Sequence, residues 1–361
     1  MVRKIAIGLA CLFACALVAE LGFRLLERRL GVNRLQLRDF RAVLVDGSLP
    51  NFAPRAHTVF ARPRSVRSFN SEGFSDRDWP LAKTPGVPRI LCLGGSTTEG
   101  GNSEGRDGQY PQQLERLLEH RTGCDFEVLN AGISGWTTAE MLVSWFLTLQ
   151  DYSPDAIVIH EGVNDLHARF RKDFRADYSH WRTPLHPPPT NSLTRWLARW
   201  SDLYLYQRLE REGVPDIGTL TVAPGRQDQP LAAEGRLPAE SARPFVRNVA
   251  SIAASARDLG ATVVLLSLPI QPDHGPEIAP GWDNGVAENN RNLGQLAAQQ
   301  GYLFVDAAGY FTEHVELVRP EFLDYVHLSG KGNALKAELV ADALARDWLP
   351  KLVTDGARPP R

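Results

Sequence analysis

The chain has 361 residues, 43% of them apolar, with 40 basic against 42 acidic side chains and a formal charge of −2. That apolar content supplies a sizeable core and excludes global disorder, while the balanced charge excludes nucleic acid or another polyanion as the principal partner. The four cysteines, Cys11, Cys15, Cys92 and Cys124, have neither metal-ligand nor framework spacing, so they read as separate thiols.

At the N-terminus Arg3 and Lys4 precede an apolar run from Ile5 to Ala19, then Glu20, Leu21, Gly22 and Phe23. Segment 1–23 is expected to be a membrane anchor or signal segment, slightly short of the roughly 20 residues that span a bilayer core. Ala14-Cys15-Ala16 offers a cleavage site for a secreted form, whereas Phe13 spoils a lipoprotein box. The anchor is the favoured reading, with the rest of the chain facing the periplasm or cell exterior. Arg24, Arg28 and Arg29 outnumber the basic residues before the segment and oppose that orientation.

Residues 24–46, with Leu25, Leu26, Leu30, Leu37, Phe40 and Val43 among arginines, suggest an amphipathic helix. The stretch to Pro88, rich in Pro, Arg and Ser, is read with it as an extended lead-in, 24–88 in all. Strands and helices then alternate. Strands are expected at Ile90–Leu93, Phe126–Leu129, Ala156–His160, Thr262–Leu268 and Leu303–Val305. Helices are expected at about 110–120, 137–149, 245–259, 286–300 and 330–348, with Trp282 in a loop. This order predicts an α/β domain over 89–350, a five-stranded parallel sheet of flavodoxin-like type covered on both faces. The alternation breaks at about 170–244, where Pro187-Pro188-Pro189 precede Trp196, Trp200, Tyr204 and Tyr206. An insertion over the site is expected there, its aromatic stripe more often packing than a sugar or lipid platform. Residues 351–361 read as a flexible tail.

The unusual residues fall at strand ends. Ser96 follows the first strand, Gly132 the second, Asn164 the third, and Asp324 with His327 follow the fifth. In a parallel sheet these ends share one rim, so the joint arrangement carries more weight than any member. Singly, Ser96 reads as a helix cap, Gly132 as a turn, Asn164 and Asp165 as a cap, and His327 as a packing histidine. His160, inside an apolar strand, reads as hydrogen-bonded core. Glu99 and Glu161 read as solvated or capping residues, with a place at the pocket border as the alternative, and Asp165 as a loop support.

On Gly94-Gly95-Ser96-Thr97, Asn130-Ala131-Gly132, Gly162-Val163-Asn164-Asp165 and Asp324-Tyr325-Val326-His327 the sequence resembles the SGNH hydrolases, the GDSL esterase/lipase superfamily. Its lead-in, with Asn70-Ser71-Glu72-Gly73-Phe74, is similar to that of membrane-anchored bacterial members. The resemblance covers about Arg89 to Trp348, with Gly95 where many members have Asp. It implies a three-layer SGNH fold and a triad of Ser96, His327 and Asp324, with oxyanion donors from the backbones of Ser96 and Gly132 and the amide of Asn164. That mechanism needs no metal or organic cofactor, and the G-x-S-x-G elbow of the α/β-hydrolases is absent.

The leading expectation is a serine esterase acting on an acetyl or acyl ester of a small molecule, glycan or lipid. Acyl transfer from the same acyl-enzyme to a sugar hydroxyl is the second enzymatic reading. A membrane-tethered glycan-binding or assembly protein without turnover is the reading from another class, and its usual sign, a lost triad member, is not found here.

Overall fold

In the computed structural model, residues 2–26, 70, 72–100, 105–170, 174–178, 192–212, 237, 239–272 and 281–354 are described. In chain order the elements are α1 (Val2–Leu26), β1 (Arg89–Gly94), α2 (Ser96–Glu99), α3 (Tyr110–Thr122), β2 (Glu127–Gly132), α4 (Thr138–Leu147), β3 (Ala156–His160) and α5 (Asn164–Arg169). There follow α6 (Ser192–Trp200), α7 (Asp202–Glu212), α8 (Arg243–Asp258), β4 (Thr262–Leu266), α9 (Trp282–Gln300), β5 (Leu303–Val305), α10 (Ala307–Glu313), α11 (Val315–Val318), α12 (Gly330–Asp347) and α13 (Leu349–Thr354). The chain forms two compact units: α1, α6 and α7 belong to the first, and the sheet with all other described elements to the second.

The five strands are all parallel and ordered β2-β1-β3-β4-β5. This is the flavodoxin-like order, with β1 and β3 flanking the point where the winding reverses direction. β1 shows why its apolar run makes a central strand. Leu91 and Leu93 face a core shared with Met141 and Trp145 of α4, Phe245 and Val249 of α8 and Leu293 of α9. Ile90 and Cys92 face the opposite core, with Tyr110 and Leu114 of α3 and Val340 and Leu344 of α12. Burial on both faces removes the polar alternation of a one-sided strand and yields three layers. The register pairs Gly94 with both Gly132 and His160, so the carboxyl ends of β2, β1 and β3 finish level.

Two buried arginines lock this frame. Arg89 at the start of β1 pairs with Glu127 at 2.6 Å and donates to the carbonyls of Leu81 and Tyr152 at 2.9 and 2.8 Å. Replacing Arg89 by Met strands the Glu127 carboxylate and both carbonyls. The expected loss is about 3–5 kcal/mol, read as a lower denaturation midpoint with unchanged m-value. Arg169 at the end of α5 reaches Asn289 at 2.8 Å, Ser241 at 3.0 Å and the Glu288 carboxylate, tying α5 to α9.

Several expectations change. Among the described residues no helix is long and apolar enough to cross a membrane, which leaves the membrane helix expected over 1–23 without support. That segment continues to Leu26, and its last turns are bound to protein. Glu20 accepts from Ser201 Oγ and Asp202 N at 2.8 Å, Arg24 pairs with Glu20 and Asp202, and Phe23 lies 5.2 Å from Tyr206. Most of the anticipated amphipathic helix at 24–46 and the lead-in up to residue 69 lie outside the described residues, as does much of the insertion. The described parts of 170–244 divide between the units, with α6 and α7 in the first and 174–178 in the second. Residues 351–354 are helical rather than tail. Trp282 opens α9 instead of lying in a loop.

Candidate active site

Ser96 is the first residue of α2, directly after Gly95, the cap residue that follows β1. The turn is tight because Thr98 and Glu99 both donate backbone N–H groups to Gly95 O, at 3.1 and 2.9 Å. From the other side the loop after β5 is closed by an antiparallel bridge between Phe322 and Leu328 and by Leu323 N donating to His327 O at 2.8 Å. Asp324 and His327 ride on that loop. Asp324 Oδ1 accepts the N–H groups of Val326 and His327 at 3.0 and 2.8 Å, which turns Oδ2 towards the imidazole. His327 Nδ1 lies 2.7 Å from Asp324 Oδ2, and Nε2 lies 2.8 Å from Ser96 Oγ.

The chain of three polar groups is half-open to solvent: the His327 side chain is 21% exposed and that of Asp324 47%. Burial alone pushes the Asp324 carboxyl up. The hydrogen bonds from the His327 ring and from the two backbone N–H groups outweigh it and hold the group down at about 2. Beneath the nucleophile turn, fully buried Lys336 donates to Thr97 O at 2.9 Å and stands 3.4 Å from His160 Nε2, and burial lowers it to about 7. His160 is itself buried, with Nδ1 3.3 Å from Leu266 O and its ring edge-on to Tyr110. It is a core residue of β3.

Asn164 opens α5. Its Nδ2 donates to Trp136 O at 2.8 Å and to Glu161 Oε2 at 3.3 Å, and a Cβ placed on Gly95 would fall 2.5 Å from it. The amide therefore lies against the peptide before Ser96. Gly132, expected as an oxyanion donor, is the last residue of β2, and its N–H donates to Asn130 Oδ1 at 3.0 Å. The glycine beyond the sheet edge is Gly135, exposed and left-handed at φ 77°.

What requires glycine at 132 is contact. A Cβ there would fall on Glu99 N and 2.7 Å from Thr98 C, both backbone atoms of α2. Gly132→Ala is expected to cost about 3 kcal/mol, a lowering of the melting midpoint by roughly 5–10 °C, and to displace the turn carrying Ser96. Alanine keeps the N–H, so unchanged stability and turnover in this variant would show that contact is not the reason for the glycine.

The carboxylates around the site are structural. Glu99, fully buried, accepts from Ser134 N at 2.6 Å and from its hydroxyl. Asp165 accepts from Thr138 N at 2.9 Å, Thr138 Oγ1 at 2.6 Å and Tyr178 OH at 2.7 Å, which ties α5 to α4. One contributor escaped the sequence reading and another was underread. Asp76, within the lead-in, is buried against the end of β2, where it accepts from Asn130 N and Trp79 Nε1 at 2.8 Å. Glu161 occupies the space beside Gly95; its only signal in the sequence was an acid closing an apolar strand immediately before Gly162-Val163-Asn164-Asp165. Among the described residues no group of His, Cys, Asp and Glu side chains could hold a metal ion.

Comparison with known proteins gives a match to the profile of the GDSL-like Lipase/Acylhydrolase family over residues 92–335. Among curated proteins, the uncharacterized lipoprotein YqeF of Bacillus subtilis is 31% identical over 80 residues, 22% of this chain. The chain spans only 33% of that relative's length. Among solved structures, a catalytic mutant of an acetylxylan esterase from Geobacillus stearothermophilus aligns with 73% of this chain and 95% of its own, at 18% identity and a TM-score of 0.44. A lipase/acylhydrolase from Enterococcus faecalis aligns with 72% of this chain and 95% of its own, at 16% identity and a TM-score of 0.45.

Proposed function

The chain belongs to the GDSL-like lipase/acylhydrolase family, serine hydrolases that act on esters, and from that premise we propose that Ser96, His327 and Asp324 are its catalytic triad in hydrolysis of an acetyl or acyl ester of a glycan or lipid. The observation that carries this reading is the continuous hydrogen-bond chain from Asp324 Oδ2 through the two ring nitrogens of His327 to Ser96 Oγ. His327 Nε2 takes the hydroxyl proton as Oγ attacks the ester carbonyl. Asp324, accepting from Nδ1–H, fixes the tautomer and balances the imidazolium. The proton then passes to the departing alcohol, and the acyl-enzyme is cleaved by a water activated in the same way. The developing oxyanion is assigned to the Ser96 N–H and the Asn164 amide. Each preorganised donor contributes roughly 3 kcal/mol to the transition state.

A fluorophosphonate probe tests the assignment. A single adduct on Ser96, formed by native but not by denatured protein and prevented by a competing ester, is expected. A native protein that hydrolyses acetyl and short-acyl esters without labelling at Ser96 would refute it. A panel of acyl lengths together with acetylated polysaccharides then identifies the substrate. An exported, membrane-associated location is proposed with the activity, supported by the basic-then-apolar order of residues 3–19 and by the likeness to a lipoprotein. Recovery of the native protein in the cytoplasmic fraction would refute that location.

A further inference from the structure

We propose that Glu161 is a positioning residue that holds the side-chain amide of Asn164 towards the reacting carbonyl. The assignment rests on the reading of Ser96 as nucleophile. Glu161 directly follows β3 and is 1% exposed, and among the described residues no arginine or lysine pairs with it. A carboxyl group buried without a cation is costly, so it persists only through the hydrogen bonds it makes.

Those bonds divide between its two oxygens. Oε1 accepts the backbone N–H groups of Gly162, Val163 and Asn164 at 2.8, 2.9 and 2.8 Å, and so fixes the start of α5. Oε2 accepts from Asn164 Nδ2 at 3.3 Å. The other hydrogen of that amide goes to Trp136 O at 2.8 Å. Both amide hydrogens thus have acceptors on different elements, and the plane of the amide is fixed. The bond to Trp136 is short, whereas the one to Glu161 is long, which leaves that second hydrogen free to transfer to a stronger acceptor. A developing oxyanion is such an acceptor.

Position 95 locates the pair. A Cβ there would fall on Glu161 Oε2 and 2.5 Å from Asn164 Nδ2, so the two side chains fill the space beside the residue before Ser96. Helix capping explains Oε1 and leaves Oε2 unexplained. Burial, followed by the charge of Asp165, pushes the carboxyl up, while the three N–H bonds favour the ionised form in which Oε2 accepts.

A double-mutant cycle on the full chain separates positioning from support. Wild type, Glu161→Gln, Asn164→Ala and the double variant are compared with p-nitrophenyl acetate, with fluorophosphonate labelling of Ser96 in each. Glutamine keeps an oxygen for the three backbone N–H groups and turns an NH2 group towards Asn164 Nδ2, donor against donor. Glu161→Gln is expected to lower kcat about 10- to 100-fold, with KM changed less than about twofold. In the Asn164→Ala background the same change is expected to lower kcat by less than about twofold. Wild-type kcat in Glu161→Gln, or an equal loss in both backgrounds, overturns the proposal. If Glu161→Gln does not fold, Gly95→Ala replaces it, because its methyl displaces the same two groups; the same loss, again absent beside Asn164→Ala, is expected. An unchanged kcat there overturns the proposal. A wild-type protein that neither turns over esters nor labels at Ser96 removes the esterase reading and this assignment together. An active wild type with additive losses removes the assignment alone.

Discussion

Replacing Ser96 by Ala lowers kcat/KM for acetyl esters by roughly 10⁴- to 10⁶-fold and leaves the fold intact. The size follows from the loss of the attacking atom, which no neighbour replaces. The residual rate is what oxyanion donors and substrate binding supply by themselves. The second half of the expectation is structural. The cap residue of α2 is Gly95, with no side-chain cap hydrogen bond, and the Ser96 hydroxyl is engaged with His327. The backbone bonds that form the turn, including Gly100 N to Ser96 O at 2.9 Å, are untouched by the substitution. Steady-state turnover and a thermal melt measure both halves. Full activity in the variant would remove Ser96 from the chemistry, whereas a large fall in melting midpoint would return it to the role of a helix cap.

Asp324→Asn is expected to lower kcat roughly 10³- to 10⁴-fold through a change of tautomer. Asp324 Oδ1 is claimed by the N–H groups of Val326 and His327, so an asparagine there places its carbonyl oxygen in that position and its NH2 towards His327 Nδ1. Nδ1 must then accept, Nε2 carries the proton, and the ring cannot take another from Ser96. The sign of the pH effect follows from the carboxyl held at about 2. Its folded value lies below the unfolded value of about 3.9, so its contribution is complete above roughly pH 4 and is lost as pH falls through 2. Between pH 5 and 9 the Asp324 carboxyl is therefore expected to stay ionised, with no neutral-acid C=O band in isotope-edited infrared difference spectra. Such a band within that range would mean that Asp324 titrates there and does not act as a fixed anion. Assignment of the imidazole proton to Nε2 by 15N NMR in the variant checks the cause directly.

The fold was largely legible in the chain, and the misses share a cause. Ala156–His160 and Leu303–Val305 were delimited to the residue, because apolar runs between turn formers have sharp edges. β2 was cut short at Leu129 because Asn and Gly usually mark turns. Asn130 stays in the strand because Gln109 Oε1, at 3.0 Å, and the Gly132 N–H satisfy its buried side chain. The lead-in read as structureless because local periodicity is absent. Residues 70 and 72–79 are held by distant partners instead, Phe74 packing edge-on to Trp136 and Asp76 bonding Asn130 and Arg106. Glu161 likewise read as a bordering acid, since only the fold shows that it lies against Gly95.

By itself the sequence determined the α/β class, the parallel alternation and the residues that gather at the strand ends, because periodicity and motif spacing are local properties of the chain. Only the tertiary structure decided which of those groups touch. The register of β2, β1 and β3 and the closed loop at 322–328 bring Ser96, Asp324 and His327 within hydrogen-bond distance. The same packing brings the Gly132 N–H to Asn130 and sets Glu161 behind Asn164. Ser96 and His327 lie 231 residues apart, and even for partners two or three residues apart the spacing does not record which side-chain atoms meet, because packing sets it.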